Sequence, residues 1–152
     1  MEIRRDDPAA PYVADILVYH RRELEAVMGA HASALDASGL SMPNVTFWTA
    51  WHDRTLAGFG ALKQLAHDHG EVKSMRAAPA ARGMGVGRAM LAHIVAEARA
   101  RGYARLSLET GTAALHDPAL SLYRSAGFVP CAAFADYAPS PHNQFLTLDL
   151  ST

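Results

Sequence analysis

The most informative stretch of the chain reads Arg82-Gly83-Met84-Gly85-Val86-Gly87-Arg88. Its glycines allow a tight turn and a close approach of the backbone to a ligand. A helix pattern follows at once, and the free N–H groups and positive dipole end of a helix start favour an anion. Since the two arginines add positive charge, the stretch predicts a loop that binds a diphosphate.

Two familiar nucleotide motifs fit this loop less well. A P-loop ends in Gly-Lys-Ser/Thr, whereas this chain has Gly87-Arg88-Ala89. A dinucleotide fingerprint follows its strand directly and has a further glycine where Arg88 stands, whereas residues 79–82 intervene here. With Glu109 as the acid at the end of the next strand, nicotinamide-dinucleotide binding stays a weaker alternative. A glycine-rich turn without a ligand is another.

The hydrophobic pattern on the two sides of the loop predicts the class of fold. Apolar residues recur at helical spacing over residues 9–28, and residues 31–40 fit a short helix or a loop. Residues 2–5 fit a short first strand, and strand patterns at residues 45–51, 55–65 and 71–77 indicate an antiparallel meander. After the loop come a helix at 86–101, a strand at 105–109, a helix at 118–125 and strands at 128–134 and 144–150. This order predicts an α/β domain with a mixed sheet.

Length and composition predict a single domain spanning residues 1–152. Half of the residues are hydrophobic, and the formal net charge of −1 gives no overall field that would attract nucleic acid or an anionic membrane. The single cysteine, Cys131, excludes an intrachain disulfide, and no segment has the pattern of a signal peptide or a membrane span. We therefore expect a cytoplasmic protein without nucleic-acid or membrane partners.

A second motif lies downstream, at Leu122-Tyr123-Arg124-Ser125-Ala126-Gly127-Phe128. It resembles the Leu-Tyr-x-x-x-Gly-Phe of motif B in the GCN5-related N-acetyltransferases, the GNAT family. The glycine loop resembles motif A of the same family, which is a strand, then Arg/Gln-x-x-Gly-x-Gly/Ala, then a helix. Residues 69–75 and 106–111 also look like those of one bacterial branch of acetyltransferases. The resemblance covers residues 45–130 well, with both motifs in the order and spacing of the family.

The resemblance implies a GNAT-like α/β fold: a mixed, twisted, mostly antiparallel sheet of six to seven strands with helices on both faces. The sheet is expected to open between residues 71–77 and 105–110, with acetyl-CoA as co-substrate in the gap. The cofactor contacts of the family carry over to Met75, Arg76, Ala77, Arg82, Gly83, Met84, Gly85, Val86, Gly87, Arg88 and His116. His116 stands where many members have an asparagine against the pantetheine arm.

Acetyl transfer to an amine requires a neutral amine, donors for the developing oxyanion and a proton for the departing thiolate. By resemblance, Tyr123 is the acid that protonates the thiolate, and backbone N–H groups at residues 75–77 are the oxyanion donors. Glu71 is the candidate base, acting through water, with His69 as the alternative because imidazole titrates near neutral pH. Each of these side chains also has a purely structural interpretation. Tyr123 would be a core tyrosine, Glu71 a solvated carboxylate at a strand start, and His69 a histidine in a turn.

The acceptor side of the site is less defined by the sequence. By position we expect it to involve His31, Trp48, Glu109 and Tyr137, although sheet packing explains the tryptophan better. A carboxylate at Glu109 would hold an ammonium. We predict direct transfer of acetyl to a primary amine of a small molecule or peptide in a ternary complex, without a metal or a covalent enzyme intermediate. A non-catalytic acyl-CoA-binding sensor is the alternative, and a homodimer is compatible with the family.

Overall fold

The computed structural model describes residues 1–28 and 37–151, which form a mixed α/β sheet flanked by helices. The strands are β1 (Glu2–Arg5), β2 (Val45–His52), β3 (Thr55–Ala66), β4 (His69–Ala77), β5 (Arg105–Gly111), β6 (Val129–Pro130) and β7 (Asn143–Asp149). The helices are α1 (Pro11–Met28), α2 (Ala37–Leu40), α3 (Val86–Ala100) and α4 (Asp117–Ser125). Across these residues the strand order is β1-β2-β3-β4-β5-β7-β6, and each neighbouring pair is antiparallel except β4 and β5. The predicted mixed, mostly antiparallel sheet is confirmed.

Strand β3 shows why helices cover both faces of the sheet. Alternate residues of a strand point to opposite faces. Gly60 faces α3, where a Cβ at this position would lie 2.7 Å from Cγ of Met90, so the missing side chain lets the helix lie close to the sheet. The neighbouring Phe59 points the other way and meets the ring of His20 on α1 edge-on, with 5.5 Å between centroids. Helices α1 and α3 therefore pack on opposite faces, as predicted.

Helix α3 is anchored by the apolar stripe that its sequence predicts. Its buried residues are Val86, Met90, Leu91, Ile94 and Ala98. Burial of a large aliphatic side chain contributes roughly 1.5–3 kcal/mol, so this face fixes the helix firmly on β3 and β4. The glycine loop that precedes α3 is positioned by the same packing. None of the helices in the described residues is long and apolar enough to cross a membrane.

The sheet opens where β4 and β5 diverge. Their parallel ladder pairs residues 69–71 with residues 105–107 and goes no further. On the other side of β4, Lys73 pairs with Ala61 and Arg76 with Phe59, so two residues of β4 face one residue of β3. This bulge contains Ser74 at φ 52°, and a bulge leaves its extra residue outside the ladder. The divergence and the bulge together form the expected gap beside residues 71–77.

Strand β6 is shorter than the sequence indicates. We predicted a strand over residues 128–134, but the ladder with β7 covers Val129 and Pro130. Cys131 still donates its N–H to the carbonyl of Phe145, and the chain then leaves the sheet. Proline cannot donate to a ladder, and Ala135 has φ 50°, so the backbone turns here instead of extending. The prediction for residues 131–134 was wrong, and these residues begin a loop that returns over the sheet.

Candidate active site

A cavity of about 520 Å³ lies in the gap between β4 and β5. The bulged strand lines one wall at residues 73–77, and the end of β5 lines another at residues 109–111. The glycine loop, the segment that leads into α4, and α1 complete the enclosure. Five separate parts of the chain therefore meet at one site, and both predicted motifs contribute to it.

The glycine loop has the backbone conformation that its sequence predicts. Gly83 and Gly85 lie in the left-handed region, at φ 82° and 79°, which glycine adopts without steric strain. A Cβ at either position would meet no atom within 4 Å, so the backbone conformation rather than crowding favours glycine here. Gly85 occupies the N-cap of α3, and the first N–H groups of this helix follow it. The arrangement can bind an anion at a helix N-terminus.

The structure divides the predicted cofactor residues into two groups. Those that line the cavity are Met75, Arg76, Ala77, Arg82, Gly83, Gly87 and His116. Of the others, Gly85 caps α3, Val86 is buried in the core and Met84 projects from the loop with an exposed side chain. Arg88 borders a second groove, between α3 and α4. Some residues of the loop therefore line the cavity, and the others face the core, the solvent or the second groove.

Two of the three predicted cofactor arginines, Arg76 and Arg82, contact a carboxylate on α1. Glu23 forms ion pairs with Arg76 and with Arg82, the latter at 3.4 Å. Burial would raise the pKa of Glu23, but hydrogen bonds from Tyr19 and Arg76 and the charges of both arginines lower it below its ordinary value. The carboxylate is therefore ionised at neutral pH. Helix α1 is tied to the bulge and to the glycine loop at the same point.

Tyr123, the predicted acid, lies on the cavity wall. It is 7% exposed and packs against the ring of Phe128, with centroids 5.9 Å apart. Burial raises the pKa of Tyr123 to about 12, so the phenol is protonated throughout the neutral range. A protonated hydroxyl in a largely dry wall can donate a hydrogen bond to a developing anion.

Glu71, the predicted base, is buried behind the wall rather than on it. It is 1% exposed, and its Oε2 accepts a hydrogen bond of 2.6 Å from the hydroxyl of Tyr137. The same hydroxyl accepts a hydrogen bond of 2.5 Å from Nζ of Lys73, which lies 3.6 Å from Oε2 of Glu71. Lys73 lines the cavity. The alternative base, His69, contacts the hydroxyl of Ser107 at 2.7 Å and lies outside the cavity lining.

Two histidines on the cavity wall have ring nitrogens without a partner. Nδ1 of His20 and Nε2 of His116 are buried, and neither has a hydrogen-bond partner within the described residues. Burial, and next the positive charge of Arg76, lower the pKa of both rings, for His20 to about 4. His116 also packs on Gly111, where a Cβ would lie 2.3 Å from its Nε2. Both imidazoles are neutral at pH 7 and offer hydrogen-bonding atoms to a ligand.

The predicted acceptor residues fall in different places. Glu109 lines the cavity. Trp48 is 4% exposed and packs edge-on against His93 of α3, at 5.0 Å, so it belongs to the core, as sheet packing predicted. Tyr137 contacts Lys73 behind the wall, and His31 lies outside the described residues. Within residues 1–28 and 37–151, no three metal-ligating side chains are grouped so that they could hold a metal ion.

The sequence profile of the acetyltransferase (GNAT) family matches residues 12–128, which include the glycine loop, the bulged strand and Tyr123. The chain belongs to this family. Two bacterial relatives extend the match over nearly the whole chain. YsnE of Bacillus subtilis, an N-acetyltransferase by name, is 42% identical over 99% of this chain and 100% of its own. YedL of Escherichia coli, also named an N-acetyltransferase, is 44% identical over 97% and 94%.

Solved structures agree with the GNAT assignment. An acyl-CoA N-acyltransferase from Klebsiella pneumoniae superposes with a TM-score of 0.80 at 25% identity, over 98% of this chain and 97% of its own. A GNAT acetyltransferase from Elizabethkingia anophelis with acetyl-CoA bound shares the fold, with a TM-score of 0.72 at 16% identity over 97% of each chain. The chain is therefore an acyltransferase of the N-acetyltransferase type.

The GNAT motifs do not account for the part of the cavity that α1 provides. His20 and Leu24 line the wall, and Glu23 holds the two arginines. One signal was present in the sequence, because His20 stands between Ile16 and Leu24 at helical spacing. A titratable residue on an apolar stripe either has its hydrogen bonds satisfied inside the core or is exposed to a cavity. Here its free Nδ1 and its position on the wall favour the cavity.

Proposed function

We propose that this chain transfers the acetyl group of acetyl-CoA to a primary amine of a small molecule or peptide, by direct attack in a ternary complex. The observation that carries the proposal is the single cavity that contacts Arg82 and Gly83 of the glycine loop, the bulge at Ser74, and Tyr123. A thioester of coenzyme A requires these together: an anion site, donors beside a carbonyl and an acid beside sulfur. Family membership, and a structural relative that contains acetyl-CoA, support the choice of co-substrate.

The polar groups of the cavity fit the arm of an acyl-CoA. Within the described residues, the hydroxyl of Ser74 and one ring nitrogen each of His20 and His116 are buried without a partner. Since buried polar groups are normally hydrogen-bonded, these atoms suit a ligand that carries amides along its length, as pantetheine does. His116 would then take the role of the asparagine found in many relatives. The diphosphate would lie on the N–H groups that follow Gly85.

The proposed reaction begins with removal of a proton from the amine. An alkylammonium has a pKa of roughly 10 and no lone pair, so it cannot attack until it is neutral. Glu71 is the proposed final acceptor of this proton. As the amine bonds to the thioester carbon, negative charge develops on the carbonyl oxygen, and N–H groups at residues 75–77 would stabilise it. The bulge supports this role at Met75, which lies between the ladder residues Lys73 and Arg76 and is itself outside the ladder.

Tyr123 is the proposed acid for the departing sulfur. Its pKa of about 12 is above that of an ordinary alkyl thiol, roughly 8.5, so complete transfer to a thiolate is uphill by itself. The step can be completed if two protons move together. The attacking nitrogen gives its second proton to the phenolic oxygen as the phenolic proton moves to sulfur. Tyr123 then ends the reaction unchanged. Before that step it stabilises the leaving sulfur through a hydrogen bond.

The acceptor is proposed to enter opposite the glycine loop, past Glu109. A carboxylate on the cavity wall attracts an ammonium and keeps the amine near the thioester. Tyr137 acts on this side through Lys73. A role for His31 stays a prediction. Trp48 is proposed to support the sheet behind the cavity rather than to touch the acceptor.

Isothermal titration with acetyl-CoA, with desulfo-CoA and NADH as comparisons, tests the cofactor. Micromolar binding of acetyl-CoA with little or no binding of NADH is the expected result. Release of free CoA thiol in the presence of a panel of primary amines then tests the reaction. Binding without thiol release from any amine would favour the sensor function instead, and a lack of binding would refute the proposal.

The first prediction concerns Tyr123→Phe. We expect kcat to fall about 10²- to 10⁴-fold, because general acid assistance is lost, while the Kd for acetyl-CoA changes little. Tyr103→Phe is a matched control, since Tyr103 is 5% exposed and lies outside the cavity lining. It should keep wild-type turnover. Equal kcat values for Tyr123→Phe and the wild type would remove Tyr123 from the mechanism.

A further inference from the structure

Three polar side chains form a buried chain of hydrogen bonds beside the cavity. Glu71 and Lys73 are two residues apart on β4, so both point to the same face of the sheet. Tyr137 reaches them from the loop between β6 and β7, where its ring packs against Phe134 at 5.3 Å and Phe145 at 5.8 Å. Glu71 is 1% exposed and Lys73 is 9% exposed. Burial of an ion pair is seldom needed for stability alone, so a functional reason is worth testing.

The hydrogen bonds run in one direction. Nζ of Lys73 donates to the hydroxyl of Tyr137 at 2.5 Å, and this hydroxyl donates to Oε2 of Glu71 at 2.6 Å. Of the three residues, Lys73 lines the cavity, whereas Glu71 and Tyr137 do not belong to its lining. A proton taken up at the cavity wall therefore has a continuous path to a buried carboxylate. This path does not require a water molecule between the cavity and Glu71.

We propose that Lys73 takes the proton from the acceptor amine and that Tyr137 relays a proton to Glu71. The inference rests on the proposed function and specifies how its base works. An N–H bond of Lys73 breaks as a Tyr137 O–H bond forms, and the former hydroxyl proton of Tyr137 bonds to Oε2 of Glu71. The neutral Lys73 amine then accepts a proton from the acceptor ammonium. Lys73 and Tyr137 end unchanged, Glu71 is protonated, and the acceptor has gained its lone pair.

The surroundings of the relay keep Tyr137 in its hydroxyl form. Burial raises the pKa of Tyr137 well above its ordinary value, and the nearby charges of Glu71 and Glu109 raise it further. Tyr137 is therefore held as a hydroxyl that can accept and donate, rather than as a phenolate. The other charged or titratable side chains on the cavity wall are Arg76, Arg82, His20, His116 and Tyr123. Glu23 pairs with both arginines, so Lys73 is the wall cation that is linked to a buried carboxylate through a hydroxyl.

Tyr137→Phe tests the relay, because it keeps the aromatic packing and the Lys73–Glu71 ion pair and removes the relaying oxygen. The probe is the amine of the panel that the wild-type chain acetylates fastest. We expect kcat/KM for this amine to fall about 10²-fold at pH 7 with an unchanged Kd for acetyl-CoA. The deficit should shrink to less than about tenfold near pH 9.5, where more of the amine is already neutral. Lys73→Met should give the same pH-dependent deficit, and Tyr103→Phe should behave as wild type.

The outcomes separate the relay from the reaction on which it rests. If the wild-type chain releases no thiol with any amine, the proposed acceptor class fails and the relay fails with it. If the wild type is active and Tyr137→Phe stays within twofold of it at every pH, the relay alone is refuted. An equal loss at all pH values, or a weaker Kd for acetyl-CoA, would assign Tyr137 a structural role and also refute the relay.

Discussion

His20 is expected to make the stability of the fold fall in mild acid. Its ring is 7% exposed, and burial together with the charge of Arg76 lowers its pKa from 6.5 to about 4. In the unfolded chain the ring returns to about 6.5, so between pH 6.5 and 4 the unfolded state binds more protons than the folded state. The free energy of unfolding therefore decreases as pH falls through this window. Above pH 6.5 the effect vanishes, and below pH 4 it is constant.

The two pKa values set the size of the effect. The lost free energy of unfolding is about 2 kcal/mol at pH 5 and about 3 kcal/mol at pH 4 and below. A domain of about 150 residues shifts its Tm by roughly 2–4 °C per kcal/mol, so His20 alone should lower Tm by roughly 4–8 °C between pH 7.5 and pH 5. His69 and His116 also have lowered pKa values and add to the wild-type slope. The contribution of His20 must therefore be measured as a difference between variants.

His20→Gln isolates this contribution, because glutamine keeps a polar side chain that does not titrate. We expect the variant to be less stable than the wild type at pH 7.5 and to lose about 2 kcal/mol less between pH 7.5 and pH 5. Urea unfolding at several pH values measures both quantities. His52→Gln, at an exposed position at the end of β2, is the control and should keep the wild-type slope. An unchanged slope in His20→Gln would show that the buried, neutral imidazole is not the cause.

Three further variants test how α1, the bulge and the glycine loop are held together. Glu23→Gln should bind acetyl-CoA about two- to fivefold more tightly, because it removes a carboxylate that competes with the diphosphate for Arg82. Isothermal titration measures this Kd, and weaker binding would contradict the competition. Gly58→Ala should cost about 1–3 kcal/mol in urea unfolding, since its Cβ would lie 2.5 Å from the backbone oxygen of Arg76. Gly60→Ala, whose Cβ would press on flexible side chains, should cost less, and the reverse order would refute the argument.

The parts of the fold that the sequence predicts well are those with a strong local pattern. Helix α3 has five apolar positions on one face and glycines on both sides, so its predicted range agrees with Val86–Ala100 to within one residue. The loop at Gly83 and Gly85 was predictable because a left-handed backbone favours one residue type. Tyr123 was predictable as a cavity residue from its place in a motif. In each case a few neighbouring residues carry the whole signal.

The parts that the sequence does not predict depend on contacts between distant segments. Glu23 meets Arg76 and Arg82 across more than fifty residues, and no local pattern in α1 indicates such a partner. The end of β6 depends on where the chain leaves β7, which a run of apolar residues around Cys131 does not reveal. Tyr137 lies in a loop without periodicity, so its contact with Glu71 could not be derived from spacing.

The acceptor and the cofactor are proposed to contact different parts of the cavity wall. The proposed cofactor side of the cavity comes from the bulge, the glycine loop and His20 of α1. The bulge and the loop are close in sequence, and they pack on β3 and α3. The proposed acceptor side comes from Glu109 and Lys73, with Tyr137 behind the wall. Substitutions on that side can change the shape and charge around an amine without altering the diphosphate loop. The acceptor should therefore be sought by varying Glu109 and the loop that carries Tyr137, with acetyl-CoA binding as the measure that the rest of the site is intact.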